Sequence, residues 1–207
     1  MSAMRPQLAL SFSLLILLCG CGTMPDKPRH HALESLICET IGRPDVEKLE
    51  IVNQFFNDRI RYDTDLNVWG KSEYWAAPDE LMQRGAGDCE DFAIAKYLTL
   101  RDSGVDDSRL QIVYGRLATS RENHMVLAYF GAAILILDNI MDAIFSLQER
   151  SDLVPVMGFN QSGLWIFRRG EPELLTRNSN RLSRWRELRE RLIGQESKEM
   201  GPPSEWP

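Results

Sequence analysis

In the run Gly85-Ala86-Gly87-Asp88-Cys89-Glu90-Asp91 a thiol sits among three carboxylates, where a glycine loop passes into the helix-forming stretch Phe92-Ala93-Ile94-Ala95-Lys96-Tyr97-Leu98. That placement suits a cysteine nucleophile. A thiol at a helix N-terminus meets the positive end of the peptide macrodipole and unpaired N–H groups, which are expected to lower its pKa and raise its thiolate fraction. The same seven residues also meet the needs of a plain helix start, with Asp88 as cap, Glu90 and Asp91 in the first turn and Cys89 as a small buried residue.

A base for that thiol is easily named. The chain has three histidines; His30 and His31 fall in a Pro-containing polar stretch, which leaves His124. The segment from His124 to Phe130 reads as a strand, and Ile134-Leu135-Ile136-Leu137-Asp138 reads as another, joined by a tight connection around Gly131. A hairpin centred on Gly131 sets His124 opposite Asp138, where directly opposed Cβ atoms stand about 4.5–5.5 Å apart. A two-residue turn over Gly131-Ala132 would set Asn139 opposite His124 instead, so Asn139 stays open as the third member. A carboxylate so placed fixes the tautomer and orientation of the ring that takes the thiol proton. The order Cys, His, Asp is that of papain-like and transglutaminase-like enzymes, which are recognised by role and geometry.

The elements that position these groups follow from spacing. Leu33 to Glu39 reads as a helix with Cys38 packed inside it. Pro44-Asp45 opens a helix whose Leu49, Val52, Phe55 and Phe56 share one face. A polar, aromatic loop runs through Tyr62, Trp69, Tyr74 and Trp75, and Pro78 starts a short helix that ends at Gly85. Trp69 and Trp75 serve either as packing or as walls of a substrate cleft. After the Cys89 helix ends near Gly104, helix gives way to antiparallel sheet, beginning with Leu110-Gln111-Ile112-Val113-Tyr114. Arg181 to Leu192 is a basic amphipathic helix with Leu182, Trp185, Leu188 and Leu192 on one side, suited to docking on its own domain or to lying on a membrane surface.

The first residues carry an address. Arg5 precedes the mostly apolar run Leu8 to Leu18, too short to span a bilayer comfortably, and Leu18-Cys19-Gly20-Cys21 has the form of a bacterial lipobox. Cys21 is therefore the expected lipid anchor, with simple cleavage nearby or an uncleaved anchor as alternatives; Gly22 after it leans towards the outer membrane. Once Cys19 leaves with the signal and Cys21 carries lipid, Cys38 and Cys89 remain, and pairing them would consume the reactive thiol. With 207 residues, 43% hydrophobic and 26% charged, the chain is long enough for one buried domain plus appendages. A net charge of −6 argues against broad nucleic-acid binding. The expected organisation is a signal peptide over 1–20, a tether over 21–32, one domain over 33–195 and a disordered tail over 196–207.

Taken together, Val52 to Asn57, Ile60-Arg61-Tyr62, Trp69-Gly70, Tyr74-Trp75-Ala76, Arg84 to Asp91, Ala93 to Tyr97, His124 to Leu127, Leu137-Asp138-Asn139 and Gly163-Leu164-Trp165 resemble the bacterial transglutaminase-like cysteine peptidases of the LapG type. The resemblance covers roughly Leu49 to Phe167. It implies an α+β, papain-like or transglutaminase-like fold, with the nucleophile at a helix N-terminus packed on a small antiparallel sheet. Residue by residue it makes Cys89 the nucleophile, His124 the general base and then acid, and Asp138 the orienting carboxylate. It also makes Asp88 and Glu90, with Asp91 added, ligands for Ca2+, an ion that takes several oxygens at about 2.3–2.6 Å. Oxyanion donors would be the Cys89 N–H and one further group, for which the indole of Trp75 is a candidate. The family's members are periplasmic, calcium-dependent proteases that cut large surface adhesins near their N-termini, often at an Ala-Ala pair, and an inner-membrane cyclic-di-GMP receptor of the LapD type commonly sequesters them. A lipid anchor and a short loop around Gly131 depart from that pattern. True transglutaminase acyl transfer shares the thioester chemistry, and a catalytically inactive binding lipoprotein is the remaining alternative.

Overall fold

The computed structural model describes residues 30–199. The expected signal sequence and lipobox, with Cys21, lie outside these residues, as does the stretch from 200 to 207. The helical layer comes first in the chain: α1 (His30–Thr40), α2 (Asp45–Arg59), α3 (Asp65–Trp69), α4 (Pro78–Arg84) and α5 (Cys89–Asp102). Two very short strands, β1 (Arg61–Tyr62) and β2 (Ala86–Gly87), pair in parallel within it. Seven strands follow: β3 (Leu110–Leu117), β4 (Asn123–Phe130), β5 (Ile134–Leu137), β6 (Phe145–Ser146), β7 (Leu153–Phe159), β8 (Leu164–Arg168) and β9 (Glu171–Thr176). They form one antiparallel sheet in the order β6-β5-β4-β3-β7-β8-β9, larger than the small sheet the sequence led us to expect. A final helix, α6 (Ser183–Glu199), returns across the helical side.

Helix α5, which begins at Cys89, lies against β3 and β4 and is flanked by α2. Its run from Asp91 to Leu100 is buried throughout, because it is enclosed by sheet on one side and helices on the other. The main core joins Leu49, Val52 and Phe56 of α2 to Ile94 and Leu100 of α5, Ile112 and Leu127 of the sheet, and Trp185 and Leu188 of α6. Each such side chain contributes about 1.5–3 kcal/mol by leaving water. The other face of the sheet buries a smaller cluster of Val113, Val126, Ala128, Ile136 and Leu153. Central strands covered on both faces need apolar residues at successive positions, which explains unbroken runs such as Met125 to Tyr129.

Helix α6 docks its apolar side on its own domain. Trp185 and Leu188 are fully buried, and the Trp185 ring meets Tyr97 and Phe159 edge-on at 5.7 and 5.4 Å. The helix runs four residues beyond the expected domain end at 195, while α1 begins at His30, inside the expected tether. The inward reading of Cys38 is corrected. Leu33, Leu36 and Thr40 form the buried stripe of α1, and Cys38 falls on the opposite side and is exposed. Among the described residues no helix is long and apolar enough to cross a membrane.

Candidate active site

Local backbone chemistry delivers Cys89 to the start of α5. Helix α4 stops because Gly85 takes a left-handed conformation, φ 66°, that favours glycine. Ala86 and Gly87 then pair with Arg61 and Tyr62, which fixes the approach to the thiol. Gly87 admits no side chain, since a Cβ there would stand 2.5 Å from Asp91 Oδ2 and 2.6 Å from Leu81 Cδ1. Asp88 occupies the cap position with extended backbone, and Cys89 is the first residue of the helix. Asp91, two residues on and fully buried, accepts the Ala76 N–H at 2.7 Å through Oδ1, tying the aromatic loop to α5.

The imidazole and its acid come from neighbouring strands. His124 Nε2 lies 2.8 Å from Asp138 Oδ1, with both side chains buried. The register is not the expected one: Phe130 pairs with Ile134 and Leu127 with Leu137, so the hairpin centres on Ala132 rather than Gly131. The displacement between Asp138 and the residue facing His124 is two positions. Because side chains alternate with period two, an even displacement keeps His124 and Asp138 on one face, and the two side chains close the diagonal. Asn139 belongs to the opposite parity and does not make this contact, although it lines the neighbouring cleft.

Asp138 is heavily engaged. Oδ1 also accepts the Ile140 N–H at 3.1 Å, and Oδ2 accepts from Arg150 Nη1 at 2.7 Å. Burial by itself would raise its pKa, but the His124, Ile140 and Arg150 hydrogen bonds outweigh it and hold the carboxyl at about 2. An ionised carboxylate only accepts, so Nε2 carries the proton of a neutral ring and Nδ1 is the basic nitrogen. Cys89 and His124 together line two adjoining clefts. One, of about 380 Å³, has walls of Trp75, Tyr114, Met157, Phe159 and Leu182. The other, of about 560 Å³, is bounded by Tyr62, Leu117, Glu122 and Ile140. Trp75 is nearly buried and stacks on Phe159 at 5.4 Å, so it packs and walls the first cleft at once.

The thiol does not have the depressed pKa expected of a helix start. Its pKa is raised, first by burial and then by Glu90, whose Oε2 accepts the Sγ–H at 3.2 Å, and by the Asp88 charge; the Met125 N–H directed at the sulfur opposes this. Burial of the sulfur first, and then the neighbouring Glu90 carboxylate, outweigh the partial charge of the macrodipole.

Those charges form a cluster that differs from the expected one by a residue. Asp88 and Glu90 come together with Asp65 of α3, and one carboxylate oxygen from each lies within 4.8 Å of the other two. Asp91 is not in the group: its Oδ1 accepts the Ala76 N–H, and its Oδ2 is buried without a hydrogen-bond partner. Asp65, which the sequence reading did not single out, arrives because the β1–β2 pair brings the start of α3 alongside the loop that leads to Cys89. Its Oδ2 accepts the Tyr74 N–H, while Oδ1 is buried without a partner, as is Oδ1 of Asp88. Burial, followed by the neighbouring carboxylates, pushes Asp65 up to about 6 and Asp88 to about 9. Buried, unpartnered, mutually repelling oxygens are what a hard cation site offers, and oxygen-only donors suit calcium or magnesium rather than zinc.

A helix-start thiol facing an imidazole-bearing strand, over an antiparallel sheet, defines the transglutaminase-like class of cysteine hydrolases. The sequence profile of that class in bacteria, the bacterial transglutaminase-like cysteine proteinases (BTLCP), matches residues 21–156. The chain belongs to this family and is a cysteine peptidase acting on protein substrates. Among solved structures it is similar to LapG of Legionella pneumophila at 38% identity. The EGTA-treated structure superposes with a TM-score of 0.71 over 79% of this chain and 88% of that one. The calcium-bound structure gives 0.68 over 79% and 89%. A comparison with curated proteins found no significant match. Met157, Phe159 and Leu182 of the first cleft lie beyond the segment matched by the family profile.

Proposed function

We propose that the protein is a calcium-dependent cysteine endopeptidase using Cys89, His124 and Asp138, and that it cuts a large surface adhesin near its N-terminus to control biofilm attachment. The observation that carries this reading is the His124–Asp138 contact, which leaves Nδ1 basic in the clefts that the ring shares with Cys89. His124 takes the thiol proton as sulfur attacks the scissile carbonyl, and the Cys89 N–H, with the Trp75 indole as second donor, receives the oxyanion. The C–N bond then breaks as His124 returns its proton to the leaving amine. Water, deprotonated by the same ring, cleaves the thioester and restores the thiol.

Asp65, Asp88 and Glu90 would hold the ion, and the calcium-bound structure of the similar LapG supports calcium as its identity. When bound, the ion supplies two positive charges against three carboxylates, lowering the electrostatic cost of a thiolate beside them. Glu90, which accepts from the Cys89 Sγ, would then be drawn to the ion, leaving His124 as the acceptor for the thiol proton. Asp91 serves as scaffold.

Location and partners extend the proposal from the sequence signals and the LapG resemblance. The chain carries lipid on Cys21, faces the periplasm from the inner leaflet of the outer membrane, and is sequestered by an inner-membrane cyclic-di-GMP receptor of the LapD type. The test compares adhesin shed by cells carrying wild-type protein, Cys89→Ala, or no copy. Shedding must depend on Cys89 and fall when EGTA is added. Equal shedding in all three strains would overturn the adhesin role, and incorporation of a labelled amine into a glutamine donor would replace hydrolysis by acyl transfer.

A further inference from the structure

Asn53, Asn57 and Lys96 belong to the runs that resemble the family, yet none acquires a role in the reaction above. They meet at a single point beneath it. Lys96 follows Cys89 by two turns of α5 and so lies on the same face of that helix. Its ammonium is fully buried and donates to Asn53 Oδ1 at 2.7 Å, Asn57 Oδ1 at 2.7 Å and the Asp138 main-chain carbonyl at 3.0 Å. Asn57 Nδ2 adds a second hydrogen bond to the same carbonyl at 2.9 Å, and Asn53 Nδ2 holds the Asp142 carbonyl at 2.8 Å. The carbonyl of Asp138 thus receives donors from both α2 and α5. At its other end, Asp138 Oδ2 takes the Arg150 guanidinium, which is itself fixed by Asp152 through two contacts of 2.9 Å.

Neither cation lines either cleft at Cys89. Stability alone gives little reason for Lys96. No carboxylate hydrogen-bonds to it, burial pulls it down to about 7, and a buried charge is often replaced by a well-packed apolar residue at no loss of stability. What the lysine and its two asparagines do achieve is a fixed distance between the nucleophile helix, α2 and the residue that orients the imidazole.

We propose that Lys96 with Asn53 and Asn57 at the carbonyl, and Arg150 with Asp152 at the carboxylate, form a two-ended clamp that positions Asp138 and, through it, the His124 ring. These are positioning residues: none touches substrate or sulfur. The inference rests on Cys89, His124 and Asp138 acting together.

The experiment uses the full chain with calcium, nitrogen-15 NMR of the His124 Nε2–H, and a fluorogenic peptide containing an Ala-Ala pair. In wild type the Nε2–H gives a slowly exchanging, hydrogen-bonded signal. In Lys96→Met and Arg150→Met that signal broadens or is lost, while kcat falls on the order of 10²-fold, the usual consequence of an ångström-scale misplacement, with KM within about twofold. Arg150→Lys, which restores a charged donor, recovers at least about tenfold of kcat. Should Lys96→Met not fold, Asn57→Ala removes one donor to the carbonyl from a half-buried site and must weaken the same signal. Folded variants that keep the wild-type Nε2–H signal overturn the clamp, whatever their melting temperatures. A wild type with no such signal overturns the triad itself, a separate outcome.

Discussion

Replacing Asp65 and Asp91 separately by Asn distinguishes the cation site from its scaffold. With carboxylate oxygens up to 4.8 Å apart, each pair repels by about 3.5 kcal/mol at an effective dielectric of about 20. A dication at about 2.5 Å attracts each oxygen by about 13 kcal/mol on the same scale. Asp65→Asn forfeits that attraction and relieves two repulsions, a difference of about 6 kcal/mol; the dehydration that binding requires takes back roughly half of it. The remaining loss of about 3 kcal/mol is on the order of 10² in affinity. The assay is thermal melting with calcium at about 100 times the wild-type Kd, where binding adds about 2.7 kcal/mol and raises Tm by about 5–11 °C for a chain of this size. In Asp65→Asn the same concentration only matches Kd, the gain shrinks to about 0.4 kcal/mol, and Tm moves by about 1–2 °C. Asp91→Asn, whose amide oxygen still accepts the Ala76 N–H, keeps the full calcium shift. A full shift in Asp65→Asn, or its loss in Asp91→Asn alone, would refute the placement of the ion.

Asp91 also predicts a pH dependence in calcium-free protein. Burial raises its pKa to about 7, so between pH 3.8 and about 7 the folded chain keeps a proton that the unfolded chain has released. Stability therefore falls as pH rises through that window, by up to about 4 kcal/mol from this group, and urea titrations of Asp91→Asn will show a shallower slope, with the remainder carried by Asp65 and Asp88, whose pKa values are raised in the same direction. Gly87→Ala forces a Cβ into Asp91 and Leu81, costing about 1–3 kcal/mol and lowering kcat/KM per folded molecule as Cys89 shifts; chemical denaturation and active-site titration measure the two effects. Trp185→Ala removes a fully buried ring and costs about 3–5 kcal/mol, or about 6–20 °C in Tm, and raises KM because Leu182, a wall of the first cleft, rides on the same segment.

The parts of the site that could be read from the chain are those written in local grammar. A glycine loop, a cap and an apolar helix mark the thiol, and the terminal helix announced its docking face through Leu182, Trp185 and Leu188. The hairpin was legible only to its parity. Gly131 looked like the centre of a turn, yet its N–H bonds to the Ala133 carbonyl and the centre is Ala132. The outcome survives because a shift of two positions leaves the side chains on the same face.

What stayed hidden was whatever depends on a second segment. The thiol pKa was judged from the helix dipole, a property of α5 alone, and the sign reversed once burial among neighbouring segments and then the Glu90 carboxylate acted on the sulfur. Asp65 and Asp91 trade places for the same reason. Proximity in sequence favours Asp91, but on α5 it lies inward, where Ala76 claims it, whereas Asp65 is brought in by a two-residue parallel pairing too short to give any periodic signal. Arg150 is subtler still. It falls in the connection between β6 and β7, outside any helix or strand, and only the folded path of that connection lets it reach Asp138. The proposed catalytic groups are thus written as motifs, while the charges around them are written in topology. It follows that substitutions at Asp65, Lys96 and Arg150 will change the chemistry of this site more than their distance in sequence from Cys89 suggests.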